Sequence, residues 1–234
     1  MTSIQPLPIV IAIDGPSGVG KSTVARRLAQ KLGYCHVDSG AMYRAVGWIV
    51  HKAAIALEAE SDIVALVQRT SIDMRFCQGG ADIWIDGCCV TAQLRGEAVG
   101  ATASAVAMLP AVRRTITVRL RQIGRSGNVV LEGRDIGTVV FPDATVKFFL
   151  DAALEVRGQR RFSELQSEAR PVTMVHVVAA VAARDAQDRS REIAPLVAAA
   201  DAYVIDTTDL SIDDVVQLML SEIDRKHIQR EGLT

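Results

Sequence analysis

Gly15-Pro16-Ser17-Gly18-Val19-Gly20-Lys21-Ser22-Thr23 fits the pattern G-x-x-x-x-G-K-[ST] at every fixed position. Before it runs Ile9-Val10-Ile11-Ala12-Ile13, a β-branched run without charge that reads as a buried strand. After it, from Thr23 to Leu32, Val24, Leu28 and Leu32 recur at the spacing of one helical face. Strand, glycine-rich turn and helix is the order that phosphate binding needs. Glycines let the backbone close around an anion, and the N–H groups that open the helix point at it. Lys21 is placed to reach the β- and γ-phosphates of a nucleoside triphosphate, and the Ser22 hydroxyl to bind Mg²⁺. A merely structural turn would require neither side chain in register.

The chain has 234 residues, 49% of them hydrophobic, enough to bury the core of one domain with insertions. A formal net charge of −1 provides no global field for nucleic acid or anionic lipid. Ile4 to Ile13 is apolar, but it has no basic flank, contains Pro6 and Pro8, and leads straight into the glycine-rich loop. The sequence therefore predicts no signal peptide, no membrane span and a cytoplasmic location. Cys35, Cys77, Cys88 and Cys89 lack metal-ligand spacing and read as reduced thiols, and the four histidines form no H-E-x-x-H.

Five short apolar segments alternate with helical pattern: Ile9 to Ile13, Cys35 to Val37, Val129 to Leu131, Val146 to Leu150 and Tyr203 to Ile205. They predict an α/β fold with a parallel sheet. Each is followed by an acid, namely Asp14, Asp38, Glu132, Asp151 and Asp206. Ligands of open parallel sheets bind beyond the carboxyl ends of the strands, so several of these acids face one cleft. Turn capping accounts for Asp151 and Asp206. Between the second and third segments lie roughly 90 residues, more than a crossover helix needs, so this region holds an insertion. There Ile72 to Phe76 alternates, Gln78-Gly79-Gly80 turns and Ile83-Trp84-Ile85 answers, which predicts an antiparallel hairpin or small meander. Glu155 to Glu168 predicts a polar helix carrying Arg157, Arg160 and Arg161 and ended by Pro171, and Ser211 with Asp214 a capping box.

Four constellations could carry chemistry. In Asp38-Ser39-Gly40-Ala41-Met42-Tyr43-Arg44, Ser39 is placed to cap a helix from which Tyr43 and Arg44 project, a set able to hold a phosphate-bearing ligand. From Ala111 to Leu131 run Arg113, Arg114, Arg119, Arg121 and Arg125, with no acid and one apolar face. The pattern does not choose Arg113 over Arg114. Glu132-Gly133-Arg134-Asp135 sets a cation at the mouth of the cleft. Arg184, Asp188 and Arg191 fall at i, i+4 and i+7 on one helical face, with Asp185 and Arg189 as a second i, i+4 pair beside them.

These pieces, in this order, resemble the bacterial cytidylate kinases. The resemblance rests on Ile13 to Ser22, Asp38 to Arg44, Gly133 to Ala144, Asp188 to Arg191 and Ala194-Pro195-Leu196, and covers about Ile9 to Ile223. It implies a P-loop nucleoside monophosphate kinase fold: a five-stranded parallel sheet flanked by helices, a small antiparallel insertion and a lid. The chain is then one domain, with a core of residues 1–61 and 129–234, a monophosphate-binding insertion over about 62–128 and a lid over about 155–171. The resemblance further implies that ATP with Mg²⁺ phosphorylates CMP and dCMP. Gly15 to Thr23 would bind ATP, with Lys21, Arg134 and Arg184 catalytic and Ser22 on the metal. Ser39, Tyr43, Arg44, Ser104, Arg113, Arg134, Asp135, Arg184, Asp188 and Arg191 would bind CMP. Within that set Ser104, Arg113, Asp188 and Arg191 would serve the cytosine or sugar, and Arg44 and Arg134 the phosphate. The expected partners are these nucleotides alone, with no nucleic acid or membrane, and the chain is expected to be a monomer. Glu132 departs from the Asp often found there, which preserves the charge and lengthens its reach.

Three other readings compete. A kinase for another small acceptor, such as shikimate, shares the loop and fold but needs no cytosine-reading set. A regulatory GTPase needs an Asn-Lys-x-Asp motif, and none occurs. A nucleic-acid-binding protein could use the arginines from 113 to 125, but the near-neutral charge counts against it.

Overall fold

Burial on both faces explains the uniformly apolar strands. In the computed structural model, which describes residues 8–77, 80–167 and 171–231, Val10–Asp14 is buried throughout and lies at the centre of a five-stranded parallel sheet. In chain order the elements are β1 (Val10–Asp14), α1 (Lys21–Leu32), β2 (Cys35–Asp38), α2 (Ser39–Lys52), α3 (Glu60–Arg69), β3 (Ile72–Cys77), β4 (Gly80–Ile85), β5 (Cys88–Cys89), α4 (Glu97–Val106), α5 (Pro110–Arg125), β6 (Val129–Gly133), β7 (Val146–Asp151), α6 (Leu154–Ser167), α7 (Met174–Arg189), β8 (Tyr203–Asp206) and α8 (Ile212–Glu231). A 3₁₀ turn covers Thr91–Arg95 and a π-helical turn Ile136–Val140. The strand order β2-β6-β1-β7-β8 fulfils the expected α/β architecture.

Successive side chains of β1 point to opposite faces, so the strand divides the core in two. Ile11 and Ile13 pack with Val24, Leu28, Val215 and Met219 from α1 and α8. Val10 and Ala12 face Met42, Ile116 and Leu120 from α2 and α5. Among the described residues no helix is long and apolar enough to cross a membrane.

The alternating stretch forms β3 and β4 as an antiparallel pair with Ile72 opposite Ile85, and β5 extends it to three strands. Its turn at Gln78-Gly79 lies outside the described residues, as do residues 168–170 near the end of the expected lid and the first seven residues of the expected core. The arginine run is largely internal glue. Arg119 donates to the carbonyls of Val67 and Thr70, and Arg121 to those of Val139 and Val140. Arg114 and Arg125 are exposed. Asp151 and Asp206 accept from the Ala152 and Thr208 amides just beyond them, as turn capping requires. Ser211 and Asp214 exchange side-chain-to-backbone bonds in both directions before α8, fulfilling the capping box.

Gly15 is where the sheet tolerates no side chain. Its φ is +150°, and a Cβ there would run into the Leu150 carbonyl oxygen on β7. Gly15→Ala should lose about 2–5 kcal/mol from strain and overpacking combined. The urea midpoint reads this directly, and an unchanged midpoint would contradict the close approach.

Candidate active site

The parallel register decides which loops meet. Asp14 at the end of β1 stands opposite Gly133 on β6, and Asp38 on β2 stands opposite Glu132. Adjacent strands lie about 5 Å apart. The glycine-rich loop, the Gly133-Arg134-Asp135 turn and the start of α2 therefore leave the sheet side by side. Between β1 and β6 the chain order reverses direction, the usual position of the ligand crevice.

Asp14 fastens two of these loops together, since its carboxylate accepts from the Ile136 amide at 2.8 Å and the Gly137 amide at 2.7 Å. Burial pushes its carboxyl up to about 6, against the pull of those two amides. Because the folded value lies above the unfolded one of 3.8, the folded protein holds a proton that the unfolded chain releases. Stability contributed at Asp14 should be greatest at the acid end and fall as pH rises to about 6, then level off. Asp14→Asn removes that titration. The unfolding free energy of wild type minus that of the variant should therefore fall by about 2–3 kcal/mol between pH 4 and 7. A flat difference would refute the assignment.

The loop itself has the backbone its glycines permit, with φ of +75° at Gly18 and +97° at Gly20. Lys21, buried, donates to the Pro16 carbonyl at 2.6 Å. Burial, then Arg134, holds its ammonium well below the usual lysine range, with Glu132 opposing and Arg184 adding to the depression. Anionic phosphate oxygens are what such a set of cations would bind most favourably. The Ser22 hydroxyl donates to Glu132 Oε2 at 2.9 Å, and His36 Nε2 meets Glu132 Oε1 at 2.9 Å. That bond to Glu132 leaves the Ser22 oxygen lone pairs free for a cation. Among the described residues no cluster of His, Cys, Asp or Glu could by itself hold a metal. One hydroxyl with a carboxylate behind it offers hard oxygen atoms of the kind that would suit Mg²⁺.

The outer half of the loop is gripped from the far side. Asp185 Oδ1 accepts from the Ser17 amide at 3.0 Å, and Arg157 pairs with Asp185 while donating to the Ser17 carbonyl at 3.1 Å. Arg160 donates to the Val19 carbonyl at 3.3 Å and to Thr207.

Around the Gly133-Arg134-Asp135 turn gather most of the residues expected to hold a nucleoside monophosphate. Ser39 is buried, and its hydroxyl lies 2.6 Å from where a Cβ on Gly133 would stand. Arg44 donates to Asp38 at 2.6 Å. Arg113, 5% exposed, donates to Asp135 at 2.5 Å and to the Ala107 carbonyl at 3.0 Å, and its guanidinium lies 5.5 Å from the Tyr43 ring centre. Burial chiefly, and then Asp135, push the Tyr43 hydroxyl above its ordinary value, against Arg113. Arg134 Nε donates to Asp188 Oδ2 at 2.9 Å, and Arg191 pairs with the other oxygen of Asp188. Arg184 reaches solvent but stands within the influence of Arg134, Arg44 and Arg161. Desolvation first, and then Arg134, lower its guanidinium, with Asp188 opposing. Ser104 sits half-buried on α4 and, among the described residues, makes no side-chain hydrogen bond to the others.

Several local expectations are corrected. Ser39 does not cap α2: the helix begins at Ser39 itself, and Asp38 precedes it without a side-chain cap. Arg191 does not share the helical face of Arg184 and Asp188, because α7 ends at Arg189 and Arg191 folds back over three residues. Asp185 is buried against Arg157 and Ser17, so it is not the i, i+4 partner of a surface Arg189. Arg157 and Arg160, read as a helical basic cluster, are docked on the loop. Asp14, His36, Glu132, Asp185, Arg157 and Arg160 thus form the site's framework; the sequence marks all of them but His36, as strand-end acids or helical charges, without giving their contacts. For Asp14 and Glu132 the strand-end position was the available signal.

A family model described as cytidylate kinase matches residues 11–225. The cytidylate kinase of Geobacter sulfurreducens is 45% identical over 213 residues, covering 91% of each chain. That of Syntrophotalea carbinolica is 46% identical over 217 residues, covering 92% of each. Among solved structures, a gluconokinase from Sinorhizobium meliloti matches with a TM-score of 0.51 at 11% identity, covering 98% of this chain and 99% of that one. At that identity the likeness speaks for the fold alone.

Proposed function

The chain belongs to the cytidylate kinase family, and from that premise we propose that it transfers the γ-phosphoryl group of ATP to the phosphate of CMP and dCMP. The products are ADP with CDP or dCDP. The observation that carries the reading is the register that sets Asp14 opposite Gly133, since it brings the donor loop and Arg134 out of neighbouring strands at one level.

Residues 15–23 wrap the donor phosphates, and Lys21 neutralises charge on the γ-phosphoryl as the bond to the β-phosphate lengthens. Ser22 would hold Mg²⁺, which when bound would supply further charge neutralisation. Arg44 and Arg134 orient the acceptor phosphate, while Arg113, Asp135, Tyr43, Asp188 and Arg191 form the wall against which cytosine and sugar are read, with Ser104 on the adjacent helix. Arg184 bridges the two halves. The attacking group is an acceptor phosphate oxygen that is already anionic, so no strong general base is needed. Positioning and charge stabilisation carry the rate. Residues about 62–128 act as the acceptor-binding insertion. The lid, about 155–171, excludes water that would otherwise hydrolyse ATP.

ADP release measured with ATP, Mg²⁺ and each nucleoside monophosphate in turn tests the proposal. CMP and dCMP should be turned over far faster than AMP, GMP or UMP. Equal rates across the panel would overturn the assigned acceptor.

A further inference from the structure

Ser17 is the residue of the phosphate loop whose two main-chain groups are both taken by side chains from elsewhere. Its amide donates to Asp185 Oδ1, and its carbonyl accepts from Arg157, which is itself paired with Asp185 Oδ2. Both charged side chains are buried, Asp185 to 2% and Arg157 to 5% exposure. Arg157 also donates through Nε to the Ala152 carbonyl at 2.9 Å, which fixes the plane of its guanidinium. The backbone approach is equally tight, since a Cβ on Gly18 would stand 2.7 Å from the Arg157 carbonyl oxygen.

Asp185 is also the next residue after Arg184. Arg184 also lies one turn before Asp188 on α7, and Asp188 accepts from Arg134 Nε at 2.9 Å. One turn of α7 therefore carries an anchor to the donor loop, an anchor to Arg134, and Arg184 beside both. From this we infer that Asp185 is a positioning residue for phosphoryl transfer: anchored to Ser17 and Arg157, it sets the distance from the donor loop to the Arg184 guanidinium. A carboxylate suits the position because one oxygen takes the amide and the other the guanidinium, so neither buried donor is left unpaired. The pair also ties residue 157, at the root of α6, to residue 185 near the end of α7.

The inference rests on the proposed kinase reading, and three variants of the full chain test it: Asp185→Ala, Asp185→Asn, and Asp185→Asn combined with Arg157→Gln. Each is measured by kcat and KM for both substrates and by the rise in melting temperature on adding Mg-ADP. Asp185→Ala should lower kcat about 100-fold, as a displaced catalytic group does, and shrink the Mg-ADP shift, while the KM for CMP changes least. Asp185→Asn keeps the acceptor for Ser17 but sets an amide N–H against Arg157, so it should fall between. The double variant, in which the amide N–H introduced at position 185 can meet an amide oxygen in place of a guanidinium, should recover part of the loss in kcat. Should Asp185→Ala fail to fold, Asp185→Asn and the double variant decide. A purely structural role predicts lower melting temperatures with kcat and the Mg-ADP shift unchanged, and that result overturns the inference. A wild-type protein that shows the Mg-ADP shift but no preference for CMP or dCMP would instead count against the proposed acceptor. The Mg-ADP shifts of the variants would still test the anchor.

Discussion

Lys21→Ala should lower kcat for CMP phosphorylation by about 100- to 1,000-fold, the usual cost of removing one preorganised charge from a transition state. It should do so without weakening the fold. Lys21 is buried beside Arg134, and that burial with that neighbour depresses its ammonium well below the usual range. A lysine whose folded value is lowered disfavours folding at neutral pH, because the unfolded chain holds the proton more tightly. Its main compensations are the Pro16 carbonyl at 2.6 Å and the charge of Glu132. The alanine variant should therefore melt at the wild-type temperature or above it, the opposite signs for rate and stability that mark a group retained for function. Steady-state kinetics and a thermal melt on the same preparation suffice. Near-normal kcat would remove Lys21 from the mechanism, and a large loss of melting temperature would assign it a structural role.

What could be read from sequence alone divides by range of interaction. Local geometry was legible: the loop after β1, the Ser211–Asp214 box and the β3–β4 alternation each follow from neighbours a few residues apart. The five acids at strand ends were legible as a class, because a parallel sheet places all its carboxyl ends together. What each acid contacts was not. Asp14 serves amides more than a hundred residues away, and Glu132 joins Ser22 to His36. Asp185 is the clearest failure. An i, i+4 partner at Arg189 is always geometrically available on a helix, whereas Arg157 becomes its neighbour only after α6 and α7 pack. The choice of Arg113 over Arg114 likewise depends on how α5 is rotated against β6. Its stripe of Val112, Ile116 and Leu120 faces the core, and Arg113, beside that stripe, is carried inward to Asp135.

The second large effect belongs to Asp188, which separates two guanidiniums in the proposed acceptor wall. One oxygen accepts from Arg134 Nε at 2.9 Å, the other pairs with Arg191, and the carboxylate is 2% exposed. Asp188→Ala leaves both cations facing each other without their shared anion, and Arg191 Nε is already buried without a hydrogen-bond partner among the described residues. Breaking a buried ion pair from one side costs about 3–5 kcal/mol, so the variant should unfold at a markedly lower urea concentration. Catalysis should suffer separately. With Arg134 no longer held in line with the acceptor phosphate and Arg191 free to turn away, kcat/KM for CMP should fall about 100-fold. KM for ATP should change little, because the donor loop is held by Asp185, Arg157 and Arg160. Asp188→Asn retains an acceptor for one guanidinium and should lie between. The site also gains net positive charge, so binding of inorganic sulfate should tighten as CMP binding weakens, an inversion that loss of fold alone does not produce. An unchanged KM for CMP in a folded Asp188→Ala protein would show that the wall reads the acceptor without this carboxylate.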